Sequence, residues 1–121
     1  MRLFALRGAI SVEANTREAI LAATASLLEE LIARNQLDHE QLVSCIFTVT
    51  EDLDAEFPAV AARNIGLNAV PLICAREVPV PGALPRVVRV LVHYYAAESH
   101  EPRHVYLGEA RTLRSDLHSA Q

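Results

Sequence analysis

The chain has 121 residues, of which 51% are hydrophobic and 21% charged, so it can build one hydrophobic core but not two. Its net charge of −4 argues against a nucleic-acid partner, which usually requires a basic surface. Arg7 interrupts the apolar N-terminus before it could serve as a signal peptide, and no apolar run is long enough to span a bilayer. We therefore predict one domain, residues 1–121, in a cytoplasmic protein that has no membrane partner.

All eleven basic residues are arginines. Arginine carries a planar fork of donors that binds carboxylates and phosphates through two hydrogen bonds. A GC-rich genome or a thermophilic source is the better explanation for surface arginines, but neither explains an arginine inside a strand. The two cysteines, Cys45 and Cys74, are too few for a disulfide framework, and we expect both to be free thiols.

The first third of the chain predicts a strand followed by a helix. Apolar residues indicate a strand over residues 3–12, with Gly8 at a bulge or at a close approach to another element. Residues 15–18 are typical of a capping box and predict a helix that ends near Asn35. The apolar stripe that should pack this helix on a sheet comprises Ile20, Leu21, Thr24, Leu27, Leu28, Leu31 and Ile32.

The remainder of the chain predicts four more strands and a short helix. Pro58 fits the first position of that helix and Gly66 fits its end. A strand over residues 42–50 should place Phe47 on one face and Thr48 on the other. The other expected elements are the helix at 58–64, strands at 69–74, 87–95 and 104–107, loops at 51–54 and 96–103, a turn at 108–111 and a mobile tail at about 112–121.

The order of these elements, β-α-β-α-β-β-β, predicts an α+β fold in which helices cover one face of a mixed sheet. The other face of the sheet would be apolar and open. A small chain commonly covers such a face by association with copies of itself, so we expect a symmetric homo-oligomer whose sheets meet at its centre.

The predicted strand at 87–95 contains a charge that its pattern normally excludes. A near-continuous run of Val and Leu bounded by Pro and Gly is typical of a strand covered on both faces. Arg89 lies in the middle of this run, and an unpaired guanidinium buried there would be strongly destabilising. The sequence therefore predicts an anionic partner for Arg89, either Glu77 or a carboxylate or ether oxygen of a bound ligand.

Several common kinds of site find no support. The four glycines, at positions 8, 66, 82 and 108, are too far apart for a phosphate-binding loop. His100 and His104 flank Pro102 and cannot share a helical face, so we interpret them as surface histidines and predict no metal site. A nucleophilic Cys74 would need a histidine base that the sequence does not place, and a small buried apolar residue explains it better.

What remains is a group of arginines beside apolar strands, with Glu77 and Tyr106 as candidate companions, which indicates a site for a small anion. A structural ion pair or a solvated edge is the better explanation for each of them except Arg89. These arginines are Arg7, Arg63, Arg89 and Arg114.

Six blocks in matching order along nearly the whole chain are together highly specific. They are Leu6-Arg7-Gly8-Ala9 with Val12-Glu13, residues 52–59 with Arg63, residues 70–77, Arg89-Val90, residues 103–107 and residues 113–117. In these blocks the chain resembles the monofunctional Bacillus-type chorismate mutases, the AroH class. The resemblance implies a homotrimeric pseudo α/β-barrel with helices outside and with active sites between subunits that bind chorismate.

The resemblance also implies a role for each matching residue. Arg89 matches the arginine that meets the ether oxygen and a carboxylate of the substrate, while Glu77 and Cys74 match the pair that contacts the ring hydroxyl. The remaining matches are carboxylate ligands (Arg7, Tyr106), an apolar wall (Phe57), cations near the mouth (Arg63, Arg114) and a covering residue (Leu113). Val60 and Ile73 depart from the family, because related sequences can carry lysine and threonine at these two positions.

The implied activity is the conversion of chorismate to prephenate on the route to phenylalanine and tyrosine. This reaction is a unimolecular [3,3] rearrangement that needs no nucleophile, general base, metal or cofactor, so no cofactor is expected. The enzyme would hold the substrate in its compact conformer and place positive charge at the ether oxygen. The alternative, from another class, is a non-catalytic trimeric module that binds or senses a small anionic metabolite.

Overall fold

A computed structural model of the chain describes residues 1–113. Of the predicted mobile tail, about 112–121, the part from Arg114 onward therefore lies outside the described residues. The elements in chain order are β1 (Arg2–Ser11), α1 (Arg17–Asn35), β2 (Leu42–Val49), α2 (Ala59–Asn64), β3 (Leu72–Arg76), β4 (Val87–Ala96) and β5 (Val105–Leu107). A 3-10 turn at His39–Gln41 precedes β2, and a second one, Gly108–Thr112, stands where the sequence predicted only a turn.

Within residues 1–113, five strands form one mixed sheet in the order β3-β2-β4-β1-β5. Strand β4 lies between β2 and β1 and is antiparallel to both, while β3 is parallel to β2 and β5 is parallel to β1. Both helices pack on the same face of this sheet. The structure thus confirms the α+β class and the mixed sheet with helices on one face.

The hydrophobic core lies between the sheet and the helices. Helix α1 contributes Ile20, Leu27, Leu28 and Leu31, each at most 2% exposed, and the predicted stripe is confirmed except that Leu21 and Ile32 are only half-buried. Gly8 is a close-approach point and not a bulge, because a Cβ there would lie 2.8 Å from Leu31 Cδ1. The strands contribute Phe4, Leu6, Ile10, Cys45, Phe47, Val88, Val90, Val92, Tyr94 and Val105.

The N-terminus of α1 differs from the predicted capping box. Thr16, not Asn15, is the N-cap, and its hydroxyl accepts a hydrogen bond from the Ala19 backbone N–H at 3.1 Å. Asn15 is used elsewhere, since its side-chain oxygen accepts hydrogen bonds from the backbone N–H groups of Asp54 and Ala55. The long-range contact decides which polar residue caps the helix.

The third strand was predicted with the wrong bounds, and the strand that contains Arg89 has one face that this chain alone does not cover. The third strand was expected at 69–74, but β3 runs from Leu72, opposite Cys45, to Arg76, opposite Val49, because the partner strand β2 extends that far. The strand containing Arg89 was expected to be covered on both faces. In the chain by itself, alternate residues of β4 pack under the helices and Arg89 points to the other face, which is only partly covered.

Candidate active site

One residue from each strand forms a row across the face of the sheet that the helices leave open. Pairing aligns Ala75 of β3 with Thr48 of β2, Thr48 with Arg89 of β4, Arg89 with Ala9 of β1, and Ala9 with Tyr106 of β5. Two of the five residues in this row, Ala75 and Ala9, have small side chains. A depression of about 330 Å³, which we call the face depression, is lined here by Arg7, Gly8, Ala9, Ile46, Thr48, Arg89, Val90, Leu91 and Tyr106.

Arg89 has the anionic partner that the sequence predicted. Its Nε donates a hydrogen bond to Glu77 Oε2 at 2.9 Å, and the two side chains are 37% and 17% exposed. Arg89 is therefore paired and half-buried on the open face, rather than enclosed in a sheet core. Since the pairing uses Nε, the two terminal nitrogens of the guanidinium carry donors that no residue from 1 to 113 accepts.

Glu77 follows the last residue of β3 and is attached to β2 at two points. Its backbone N–H donates to the carbonyl oxygen of Val49 at 2.9 Å. Its carboxylate oxygen Oε2 accepts a hydrogen bond from the Thr48 hydroxyl at 2.7 Å, besides the one from Arg89. The same oxygen thus joins the residue that follows β3 to one residue of β2 and one of β4.

Arg7 and Tyr106 complete the charged and polar side of the face depression. The Arg7 side chain is exposed, and it takes part in none of the three ion pairs found among residues 1–113. The Tyr106 hydroxyl is buried and has no hydrogen-bond partner in that same part of the chain. A buried phenol normally has a partner, so Tyr106 offers a polar contact to a group that the described chain does not supply.

A second depression, of about 310 Å³, contains two further predicted residues, Phe57 and Cys74. We call it the edge depression because it lies against the edge strand β3. Phe57 is 67% exposed, which is unusual for a phenylalanine and typical of a contact surface. Cys74 pairs with Phe47, so it lies on the helix side of the sheet and Glu77 on the other.

Local contacts fix the loop that carries Phe57. Besides its two backbone contacts to this loop, the Asn15 side chain donates to Asp54 Oδ1 at 2.7 Å. Glu56 accepts hydrogen bonds from the Phe57 backbone N–H and from Arg17. The Phe57 N–H first, and then the Arg17 guanidinium, hold the pKa of Glu56 below its ordinary value.

The other predicted residues lie outside both depressions. Arg63 is exposed in the last turn of α2. Leu113 is half-buried and packs against the cluster that contains Tyr106, while Arg114 is beyond the described residues. Of the two departures from the family pattern, Ile73 is 61% exposed and Val60 is half-buried in α2.

Sequence reasoning missed three residues that hold this region together. Asn35 at the end of α1 donates to the Arg103 carbonyl and accepts from the Arg103 N–H, which ties the segment before β5 to the helix. His104 Nδ1 accepts the Arg7 backbone N–H at 3.0 Å, so it joins the segments that carry Arg7 and Tyr106. Thr48, the third, was placed on the correct face, but no local signal indicates that it contacts Glu77.

His100 and the two cysteines contribute mainly to packing and hydrogen bonding within the fold. His100 was interpreted as a surface histidine; it is half-buried, because its Nε2 lies 2.8 Å from the Tyr94 hydroxyl and its ring packs against Phe4. Both cysteines are free, and burial raises the pKa of the Cys45 thiol to about 11. Between residues 1 and 113 there is no group of three or more His, Cys, Asp or Glu side chains suited to hold a metal ion.

The face depression therefore brings together three polar groups on an otherwise apolar surface. Arg7 takes part in no ion pair among residues 1–113, Arg89 uses only its Nε in such a pair, and the Tyr106 hydroxyl has no hydrogen-bond partner in that part of the chain. Such an arrangement suits a small ligand with more than one anionic group. Among the described helices, none is long and apolar enough to cross a membrane.

Comparison with known proteins identifies the family. Residues 3–117 match the model of the family described as chorismate mutase type I. The chain is 55% identical over 118 residues to the chorismate mutase AroH of Thermus thermophilus, covering 96% of this chain and 97% of that one. It is 39% identical over 119 residues to the chorismate mutase AroH of Bacillus subtilis strain 168, covering 97% and 94%.

A solved structure agrees with the sequence relatives. The chain superimposes on a chorismate mutase from Clostridium thermocellum with a TM-score of 0.86 at 44% identity, over 90% of this chain and 98% of that one. The chain belongs to the chorismate mutase type I family.

Proposed function

We propose that this protein is a chorismate mutase that converts chorismate to prephenate, in the cytoplasm and on the route to phenylalanine and tyrosine. The observation that carries the proposal is the Arg89 guanidinium, which is held through Nε by Glu77 and lines a depression that is also lined by Arg7 and Tyr106. The family membership supplies the substrate.

The chemistry needs positioning and charge from this chain. During the rearrangement a C–O bond breaks while a C–C bond forms within one molecule, and negative charge grows on the ether oxygen. Arg7 and Tyr106 bind carboxylate groups and so restrain the flexible dianion to its compact conformer. The terminal nitrogens of Arg89 donate to the ether oxygen and a carboxylate, where they stabilise the growing charge.

Glu77 has two roles in this mechanism. It offsets the positive charge of Arg89 and fixes the orientation of the guanidinium through Nε, and it accepts a hydrogen bond from the ring hydroxyl of the substrate. Cys74 contacts that hydroxyl as well. Phe57 forms the apolar wall, Arg63 and Arg114 lie near the mouth, and Leu113 covers the bound substrate.

These roles require residues from two chains, because Phe57 and Cys74 lie in the edge depression and Arg7, Arg89 and Tyr106 in the face depression. We propose that the two depressions of neighbouring subunits face each other in a homotrimer. Exposed apolar residues on the open face, among them Leu3 and Ile73, favour such an assembly. Light scattering should give a mass of about 40 kDa, three times 13.3 kDa, and an active monomer would contradict the proposal.

A direct assay tests the activity. Purified protein mixed with chorismate should remove the ultraviolet absorbance of chorismate and form prephenate, while the matched variant Arg89→Ala should be strongly impaired. A non-catalytic binding module would instead bind chorismate, as isothermal titration calorimetry measures, and leave its absorbance unchanged. That result would overturn the proposed activity.

A further inference from the structure

Thr48 lies at the centre of the site and has no role in the mechanism above. It stands on β2 between Ala75 of β3 and Arg89 of β4, and its side chain lines the face depression. Its hydroxyl is 2.7 Å from Glu77 Oε2.

The direction of this hydrogen bond is fixed by chemistry. An ionised carboxylate can only accept hydrogen bonds, so the Thr48 hydroxyl donates and Glu77 Oε2 accepts. The same oxygen accepts from Arg89 Nε at 2.9 Å. The carboxylate is thus held from two sides, by a short side chain on a central strand and by a long one that is 37% exposed.

The two donors differ in how firmly they hold Glu77. Threonine is branched at Cβ and has a single side-chain rotation that orients its hydroxyl, whereas arginine has several rotatable bonds. Without the Thr48 hydroxyl, the orientation of the Glu77 carboxylate would depend on Arg89, whose own orientation depends on Glu77. Thr48 therefore supplies the fixed reference for the pair.

We infer that Thr48 is a positioning residue for the proposed rearrangement: through Glu77, its hydroxyl sets the direction in which the Arg89 guanidinium presents its terminal donors. This inference rests on the proposed function. It predicts that the hydroxyl contributes mainly in the transition state, since an Arg89 that is poorly oriented can still attract a carboxylate but stabilises the ether oxygen less.

Three variants separate the hydroxyl from the shape of the side chain. Thr48→Val keeps the branched shape and removes the donor, and we expect kcat to fall by about 10- to 100-fold, the range for losing a hydrogen bond to a charged group, while KM changes by less than about threefold. Thr48→Ser keeps the donor and should retain kcat within about threefold of the parent. Ser44→Ala is the matched control, because it removes a hydroxyl from the same face of the same strand, where Ser44 Oγ lies 3.2 Å from His93 Nδ1.

The role of Glu77 is tested by combining Thr48→Val with Glu77→Ala in a double-mutant cycle. If Thr48 acts through Glu77, the Val substitution should lower kcat by less than about twofold once Glu77 is absent. Circular dichroism and urea unfolding of each variant verify that the fold is retained.

The possible outcomes are distinct. A folded Thr48→Val protein with unchanged kcat, or a Thr48→Ser protein as impaired as the Val variant, would overturn the positioning role and leave the proposed function intact. A full effect of Thr48→Val in the Glu77→Ala background would also overturn it. If the parent protein itself does not convert chorismate in the same assay, the proposed function fails before the inference about Thr48 arises.

Discussion

The two faces of the sheet are built from the same strands but are stabilised in different ways. On the helix side, Leu6, Phe47 and Tyr94 are completely buried and pack against apolar neighbours. On the open side, Arg89 and Thr48 are held by hydrogen bonds to one carboxylate. Successive side chains of a strand point to opposite faces, so the same strand can contribute to the core and to the site. The packing on the helix side stabilises the sheet that positions the polar residues of the open side.

Strand β4 shows this division most clearly. Val88, Val90 and Val92 are each at most 3% exposed and lie under the helices, whereas Arg89 lies between them in sequence and points the other way. The apolar neighbours cannot slip by one residue, because a shift would bury the charge and expose the valines. The core thus fixes the register that brings Arg89 opposite Thr48.

The largest effect on stability should come from a phenylalanine on the helix side. Phe47→Ala removes a side chain that is 0% exposed and should lower the free energy of unfolding by about 3–5 kcal/mol. Phe57→Ala, the same substitution at a residue that is 67% exposed, should change it by less than about 0.5 kcal/mol but should raise KM for chorismate. Urea unfolding and steady-state kinetics measure both, and equal losses of stability would contradict the comparison.

An intermediate effect is expected where β1 approaches α1. In Gly8→Ala, the new methyl group would lie 2.8 Å from Leu31 Cδ1 and 3.1 Å from Leu27 Cδ1, so the variant should lose about 1–3 kcal/mol of stability. Gly66→Ala is the control for backbone strain alone, since Gly66 has a φ of 99° and, apart from its two chain neighbours, no residue among 1–113 has an atom within 4 Å of the position that its new methyl group would take. A Gly8→Ala protein more stable than the parent would show that the helix does not press on the sheet there.

Alkaline pH should weaken the helix side through Tyr94. Burial raises the pKa of Tyr94 to about 12 from an ordinary value of 10, so the protonated form is favoured in the folded chain. Its contribution is fully present below pH 10 and is lost as the pH rises towards about 12. The urea midpoint should therefore fall between pH 9 and about 11.5, and should fall less in Tyr94→Phe; an equal fall in both proteins would exclude Tyr94 as the cause.

The smallest effect on stability is expected in an experiment on the two cysteines, because labelling them measures how accessible each thiol is without changing the fold. Cys45 is 1% exposed and burial raises its pKa to about 11, while Cys74 is half-buried beside the edge depression. An alkylating reagent at pH 8 should label Cys74 faster than Cys45 in the native protein, and both thiols at similar rates after unfolding. Mass spectrometry identifies the labelled residue, and equal native labelling would mean that the core opens readily.

Local patterns in the sequence were sufficient to predict most of the fold. The alternation in β2 correctly placed Phe47 and Thr48 on opposite faces, and the stripe of α1 correctly identified Leu27 and Leu31 as core residues. Both are properties of single elements, whose periods of 2 and 3.6 are written in the sequence. That Arg89 needs an anionic partner was also predictable, because a charge within an apolar strand requires one, but the sequence left open whether Glu77 or a ligand supplies it, and the structure shows Glu77.

Contacts between distant segments could not be predicted in this way. Asn15 and Thr16 are both good helix caps, and only the position of the loop at Asp54 decides between them. Likewise, the contact of Thr48 with Glu77 depends on the register of β2 against β3, which brings residues 29 positions apart together. Cys74 and Glu77 lie on opposite faces of the sheet because β3 continues to Arg76. The sequence pattern predicted that this strand ends at residue 74.

The central claim is that the open face carries the chemistry through Arg89, and the kcat of Arg89→Lys tests it most directly. Lysine keeps the positive charge but loses the fork that pairs with Glu77 and that we propose to donate to the ether oxygen. The account predicts that kcat falls by about 10²–10³, equivalent to roughly 3–4 kcal/mol, in a protein whose circular dichroism and mass match the parent. A folded Arg89→Lys protein with kcat within about tenfold of the parent would contradict it and would make Arg89 a structural ion pair.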